Sequence, residues 1–301
     1  MSADLTPSAV EKARIIVAQI NPLMPFTYGD SVIHSSCIDA MVKVNDPLAE
    51  TVDTPPTPEE LAIGRAIAEL LPDGAVLQVG VGAIPNAVLH SLKSHRHLGI
   101  HSEALTEGLM DLMEAGVVDN SLKQIERGRS VASLVLGTRR LYDFVDHNRD
   151  IVMRDIAWVN DPFIIAQNHN MAAINSCLEI DLSGQVCADS IGTRIYSGVG
   201  GQHDFVYGSS RSTGGQSFIA MLSTTSKGQS KIRPVLTQGA GVVTTRFQTN
   251  WVVTEYGAVN LRGKNMIERA RLLISIAAPQ FREELDREAF NMLGYAYRRW
   301  R

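Results

Sequence analysis

Apolar positions recur along this chain in two alternating rhythms. Apolar runs at residues 75–79, 98–101, 131–136 and 171–177 read as buried strands. Between them, residues 107–115, 139–147 and 163–168 read as helices. Strand and helix in turn predict an α/β fold with an open, largely parallel sheet. Further on, residues 178–182 and 185–188 flank Ser183-Gly184 and predict a hairpin. Residues 242–246 and 251–254 suggest two more strands, and residues 264–277 a helix with Met266, Ala270, Leu273 and Ile274 on one side. There is no internal repeat and no low-complexity tract.

The start of the chain is organised differently. Thr6 and Pro7 open a helix that the spacing of Val10, Ala13, Val17 and Ile20 carries to just before Pro22. The proline-rich stretch 50–58 reads as a linker. Thr57-Pro58-Glu59-Glu60 then supplies a cap, a proline in the first turn and the glutamate of a capping box. A domain boundary is expected here, dividing the chain into residues 1–57 and 58–301.

The run at 75–79 leads into Val79-Gly80-Val81-Gly82-Ala83-Ile84-Pro85-Asn86. Two glycines allow close approach of backbone to a ligand, and Pro85 suits the first turn of a helix whose free amides face the strand end. The next strand delivers Glu103, in Gly99-Ile100-His101-Ser102-Glu103, to what should be the same edge. These residues admit three readings. A dinucleotide site would use Glu103 for a ribose, about 20 positions past the glycines, but Pro85 stands where the third glycine belongs. Covalent catalysis would use Glu103 as nucleophile and the loop amides as an oxyanion cradle. A tight strand-to-helix turn beside a surface glutamate needs no function at all.

Composition narrows the field. A net charge of −4 gives no general attraction to nucleic acid. Cys37, Cys177 and Cys187 are odd in number and form no CxxC pair, so free thiols in a reducing cytoplasm are expected, without a metal site. The N-terminal residues lack the charge and apolar core of a signal peptide, and no apolar run approaches the roughly 18 residues of a membrane span.

Four later stretches carry more. They are Asn175-Ser176-Cys177-Leu178-Glu179-Ile180-Asp181-Leu182-Ser183-Gly184-Gln185-Val186, Ser197-Gly198-Val199-Gly200-Gly201-Gln202-His203-Asp204-Phe205, Thr254-Glu255-Tyr256-Gly257-Ala258-Val259-Asn260-Leu261-Arg262-Gly263, and Glu268-Arg269-Ala270. Together with GVGAIPN, GIHSE and Pro22-Leu23-Met24-Pro25-Phe26-Thr27-Tyr28-Gly29-Asp30, they closely resemble the acetyl-CoA hydrolase/transferase family. These are family I CoA-transferases acting on acetate, butyrate or 4-hydroxybutyrate.

The resemblance implies a ping-pong reaction. The carboxylate matching Glu103 attacks an acyl-CoA, the CoA thiolate attacks the resulting anhydride, and the CoA, now carried on the glutamate, passes to a second carboxylic acid. A carboxylate nucleophile keeps these intermediates nearly balanced, whereas a serine ester would be too stable. By the same resemblance Gly80, Val81, Gly82 and Ala83 supply oxyanion amides. Asn175 lies beside Glu103, and Gly198, Gly200 and Gly201 approach the thioester from the other side. As residues alone, Asn175 also reads as a strand-end turn and the second glycine run as a bulge. CoA enters as substrate, with no permanently bound cofactor. Lys227, Lys231 and Arg233 read equally as contacts for CoA phosphates or as a solvated loop. Glu255 and Arg262 read as a structural ion pair or local packing.

The family pattern has two α/β halves, and this chain matches only the tail of the first. A shortened chain, a split enzyme or a decayed copy would each explain that. Association is expected, as a homodimer or with the missing half. Hydrolysis of acetyl-CoA, a non-catalytic subunit and an NAD-dependent dehydrogenase are the alternatives.

Overall fold

The computed structural model describes residues 2–51 and 54–299. At its centre six strands form one sheet: β1 (Val76–Val79), β2 (Gly99–Ile100), β3 (Met171–Ser176), β4 (Gln216–Ala220), β5 (Trp251–Thr254) and β6 (Gly257–Asn260). Their spatial order is β6-β5-β4-β3-β1-β2. Every neighbouring pair is parallel except the β5–β6 hairpin. All four residues of β1 are buried, as expected for a parallel strand covered on both faces. The α/β reading with a largely parallel sheet is what the chain adopts.

Beyond β2 the pairing continues through a single bridge between His101 and Val131. Strand Ser130–Ala132 then pairs with Ile151–Met153, and that strand with Tyr28–Gly29, again in parallel. The far edge is thus supplied by the first fifty residues. Asp30 secures it, donating its N–H to Met153 O at 2.8 Å and pairing with Arg154 at 3.2 Å.

Longer helices flank the sheet or border its edges, among them α1 (Pro58–Ala68), α2 (Ala83–Ser91), α3 (Glu107–Glu114), α4 (Arg139–Val145), α5 (Gln202–Arg211), α6 (Met266–Ser275) and α7 (Pro279–Leu293). The capping box of α1 forms as expected, with Thr57 and Glu60 bonding reciprocally. One apolar cluster joins Ile63, Ile67, Leu77, Val79, Val88, Leu89 and Leu109. Val76 belongs instead with Val131, Val152, Val159 and Phe205, because alternate residues of a strand point to opposite faces. A further cluster packs Ile180, Val252, Leu261, Leu273 and Leu285.

Several expected elements are corrected. The first helix stops at Lys12 and buries nothing, while Val17–Ile20 is a strand paired in parallel with Ala40–Lys43. Tertiary pairing of β-branched residues overrides the helical spacing there. Much of this ribbon faces solvent, with Ile15, Val17, Met41 and Val42 more than half exposed. The apolar run 131–136 is not one strand. It breaks at Ser133 into Ser130–Ala132 and Leu134–Val135, and the second piece pairs with Ala104–Leu105. Residues 242–246 hold one bridge, Thr244 to Val186, and no strand. Helices α5 and α7 and strand β4 complete the alternation beyond the elements read from the pattern.

Candidate active site

Three strand ends meet at one edge of the sheet. Val79, last in β1, stands in register with Ile174 of β3, so Gly80 adjoins Asn175. On the other side, the Ser102 hydroxyl bonds to the Val79 main chain, accepting from its N–H at 3.3 Å and donating to its carbonyl at 3.4 Å. The glycine loop, Asn175 and Glu103 therefore emerge from three consecutive strands, as open α/β sheets arrange their ligand sites.

Glu103 is the focus. Its carbonyl oxygen accepts from the N–H groups of Ser133 and Leu134 at 2.8 and 2.9 Å, which fixes its main chain where the 131–136 run divides. Its half-buried carboxylate accepts from Asn160 Nδ2 at 3.1 Å and from the N–H of Gly201. Burial pushes the Glu103 carboxyl above the usual range. The hydrogen bonds from Asn160 and Gly201 pull it back in part, and the neighbouring Asp204 adds to the rise. Gly201 caps α5 and leaves no room for a side chain, since a Cβ there would run into Glu103 Oε1 and Asn160 Nδ2.

The rest of the glycine run behaves differently. Gly198 and Gly200 are exposed, and a Cβ on either would meet nothing within 4 Å. Gly200 adopts φ +63°, which favours glycine for its conformation alone. In the first loop, the Gly80 N–H is already given to Ile174 O at 3.0 Å, so it is not an oxyanion donor in this arrangement. Among the described residues no hydrogen bond takes the amides of Val81, Gly82 or Ala83. Gly82, at φ +132°, turns the chain into α2 so that these amides lie at the helix start.

Asn175 is buried, and its side chain forms a reciprocal amide pair with Gln78 at 2.9 and 3.2 Å. Among the described residues no hydrogen bond joins it to Glu103. Lys231 Nζ donates to Cys177 O at 3.3 Å and Arg233 lies 3.6 Å from Glu179, so two of the three basic residues of that loop have structural partners. Glu255 does not pair with Arg262. It accepts instead from the N–H and hydroxyl of Ser223.

Some site residues were not visible in the sequence. Asn160 ends the short helix Ile156–Val159, and its carbonyl oxygen Oδ1 is buried without a partner. His101, fully buried, donates from Nε2 to Val159 O at 2.9 Å and accepts at Nδ1 from Asn168 at 3.4 Å, tying the loop of Asn160 to the strand end of Glu103. Burial, then the Lys123 charge, pulls its imidazole down to about 3, so it stays neutral and serves as a spacer. Lys123 is itself buried, donating to Ile100 O at 2.8 Å and Arg129 O at 2.7 Å. The flanking Asp155 and Asp161, each capping a short helix, were the only sequence signal near Asn160.

Comparison with known proteins decides the family. Residues 137–289 match the acetyl-CoA hydrolase/transferase C-terminal domain. The chain is 47% identical over 96% of its length to the 4-hydroxybutyrate coenzyme A transferase of Clostridium kluyveri, covering 67% of that protein. The chain belongs to the acetyl-CoA hydrolase/transferase family. Another member, the succinyl-CoA:acetate/propanoyl-CoA:succinate CoA transferase of Fasciola hepatica, is 48% identical over 97% of this chain and is covered to 62%. Among solved structures of the family, RipA from Yersinia pestis superposes with a TM-score of 0.93 at 42% identity, over 97% of this chain and 66% of that one. The chain thus spans about two thirds of the length of these relatives. Membership of this family sets aside the dinucleotide reading of the glycine loop. Among the described residues no helix is long and apolar enough to cross a membrane, and no group of three or more His, Cys, Asp or Glu could hold a metal ion.

Proposed function

We propose that this chain carries the catalytic glutamate of a CoA-transferase, moving CoA between an acyl-CoA and a small carboxylic acid, with Glu103 as the nucleophile. One observation carries the reading. Glu103 is a half-buried carboxylate held by Asn160 and Gly201 at the sheet edge where the unengaged amides of Val81, Gly82 and Ala83 open. Relatives named as CoA transferases for 4-hydroxybutyrate, succinate and butyryl-CoA with acetate support the substrate class.

In this reading a Glu103 oxygen adds to the thioester carbonyl, whose developing charge meets the loop amides. The C–S bond breaks and the thiolate departs, leaving an acyl-glutamyl anhydride. The thiolate then attacks the glutamyl carbonyl, forms the glutamyl-CoA thioester and releases the acyl group as a carboxylate. An incoming carboxylate reverses both steps. Burial raises the energy of the Glu103 anion, which favours its attack once the thioester is in place. Asn175, braced by Gln78 beneath Gly80, contributes by shaping the loop, and Gly198 and Gly200 by letting that segment approach the thioester.

The site is further proposed to need more polypeptide than these residues. The exposed apolar ribbon at 15–42 supports packing against a partner half or a second copy, with residues 1–57 closing a first α/β half and 58–301 forming the second. The protein is proposed to work in the cytoplasm.

The test is chemical capture. The protein is incubated with an acyl-CoA, then with borohydride or hydroxylamine, and digested for mass spectrometry. Glu103 should carry the reduced or hydroxamate product. Turnover with a different acidic residue labelled would remove Glu103 from its role. Acceptor-independent CoA release at an undiminished rate would favour the hydrolase, whose named relatives are more distant, at 28% identity for that of Candida albicans.

A further inference from the structure

A second cavity, of about 440 Å³, lies at the other end of α5. Its lining includes Arg211 from the last turn of α5, Phe247 and Asn250 from the segment before β5, and Arg262, Lys264 and Arg269 around the start of α6. The volume falls within the range of small-molecule sites. Four of the lining residues are cationic and none is an acid. Glu268, outside the lining, has its Oε1 3.8 Å from Lys264 while its Oε2 caps α6 through the Asn265 N–H.

The cations are short of counter-charges. Arg269 is buried, and its partners are the carbonyl oxygens of Lys264, Ser183 and Arg246. Among the described residues the Arg211 side chain bonds only to the hydroxyl of Tyr207, and its guanidinium lies 5.5 Å over that ring. Among the described residues neither Arg211 nor Arg262 forms an ion pair. Gathering like charges around a hollow costs energy that a bound polyanion would recover. Beside them stands Phe247 with 90% of its surface exposed, an apolar ring with no intramolecular reason to face water.

We propose that this cavity binds a nucleoside diphosphate or triphosphate. Arg211, Arg262, Lys264 and Arg269 meet the phosphates, and Phe247 stacks on the base. The site is separate from the one at Glu103. Gly201, which touches Glu103, begins α5, and Arg211 ends it, about 15 Å away at helical rise. Asn250 immediately precedes β5, so the cavity sits at the amino ends of the strands, opposite the edge that carries Glu103. The same chemistry occurs in the ADP portion of CoA, whose thiol end must reach Glu103, and the experiment distinguishes the two sources.

Calorimetric titration of the 301-residue chain with ADP should show saturable binding that persists in the presence of saturating desulfo-CoA. The exposed residues Arg211 and Arg262 can be changed without touching the core, and Arg211→Glu or Arg262→Glu should each weaken ADP binding by about tenfold or more. Phe247→Ala should weaken ADP by about tenfold while leaving the binding of inorganic pyrophosphate unchanged. Circular dichroism confirms that each variant is folded. Absence of ADP binding, an affinity unaffected by either charge reversal, or displacement of ADP by desulfo-CoA would each overturn the proposal. Pyrophosphate binding as tightly as ADP would also overturn it.

Discussion

Gly201 gives its backbone N–H to the carboxylate of Glu103 and stands so close that no side chain fits between them. Its φ of −91° suits any residue, so the demand for glycine is spatial and not conformational. The contact also explains why α5 begins where it does. The helix start is docked on the reacting group, and its far end is free to do something else.

Gly201→Ala should therefore damage chemistry more than folding. A methyl group must push Glu103 or Asn160 aside, and a displaced nucleophile loses about 100-fold in rate. Single-turnover capture of the glutamyl adduct, measured beside a thermal melt, checks this. An unaltered capture rate would show that Glu103 does not react from this position.

Removing Asn160 should move the acid limb of activity upward in pH. The reactive form of Glu103 is the carboxylate, so its rate falls as pH drops through its raised pKa. Asn160 is the stronger of the two hydrogen bonds that hold that pKa down. Without it burial acts less opposed, the pKa rises further, and Asn160→Ala loses more activity at pH 6 than at pH 8. The pH profile of adduct formation gives the answer.

Glu103→Gln should abolish adduct formation, while Glu107→Ala leaves it nearly intact. Glu107 accepts from the Thr138 N–H at 3.2 Å and from the Thr138 hydroxyl, bridging α3 to the cap of α4. Its loss is a matter of stability, about 1 kcal/mol by urea denaturation.

Lys123 predicts a pH-dependent stability. Burial lowers its ammonium pKa to about 7 in the folded chain, from 10.5 when exposed. Between those values the unfolded chain holds a proton that the native one has released, so this residue's contribution rises with pH from about 7 to 10.5 and is least favourable below 7. In Lys123→Met that slope should vanish. Urea midpoints at pH 6 and pH 8.5 for both proteins measure it, and equal slopes would show that the lysine titrates normally.

The sheet was legible because parallel strands buried on both faces leave apolar-rich runs, as at Val76–Val79, broken only by Gln78, and at residues 171–174. The cap at Thr57 was legible because its chemistry is local. What escaped depends on distant partners. Val17–Ile20 has helical spacing and becomes a strand only because Ala40–Lys43 lies beside it. Asn160 reaches Glu103 across 57 positions through a loop that His101 fixes from below, and nothing near Asn160 announces that. The Gly80–Ala83 loop was visible as a motif, but not that Gly80 spends its amide on Ile174.

The break at Ser133 has one more consequence. The amides of Ser133 and Leu134 converge on a single oxygen of Glu103, while the strands on either side of them belong to different pairings. Position there is set by counting. A residue inserted or deleted between 130 and 135 would keep the apolar content but rotate one flank by half a pleat, carrying the anchoring amides away from Glu103. Among the described residues no strand pairing sets the register of the exposed turn around Gly198 and Gly200. Change at this seam is thus confined to the identity of side chains and excludes the length of the chain.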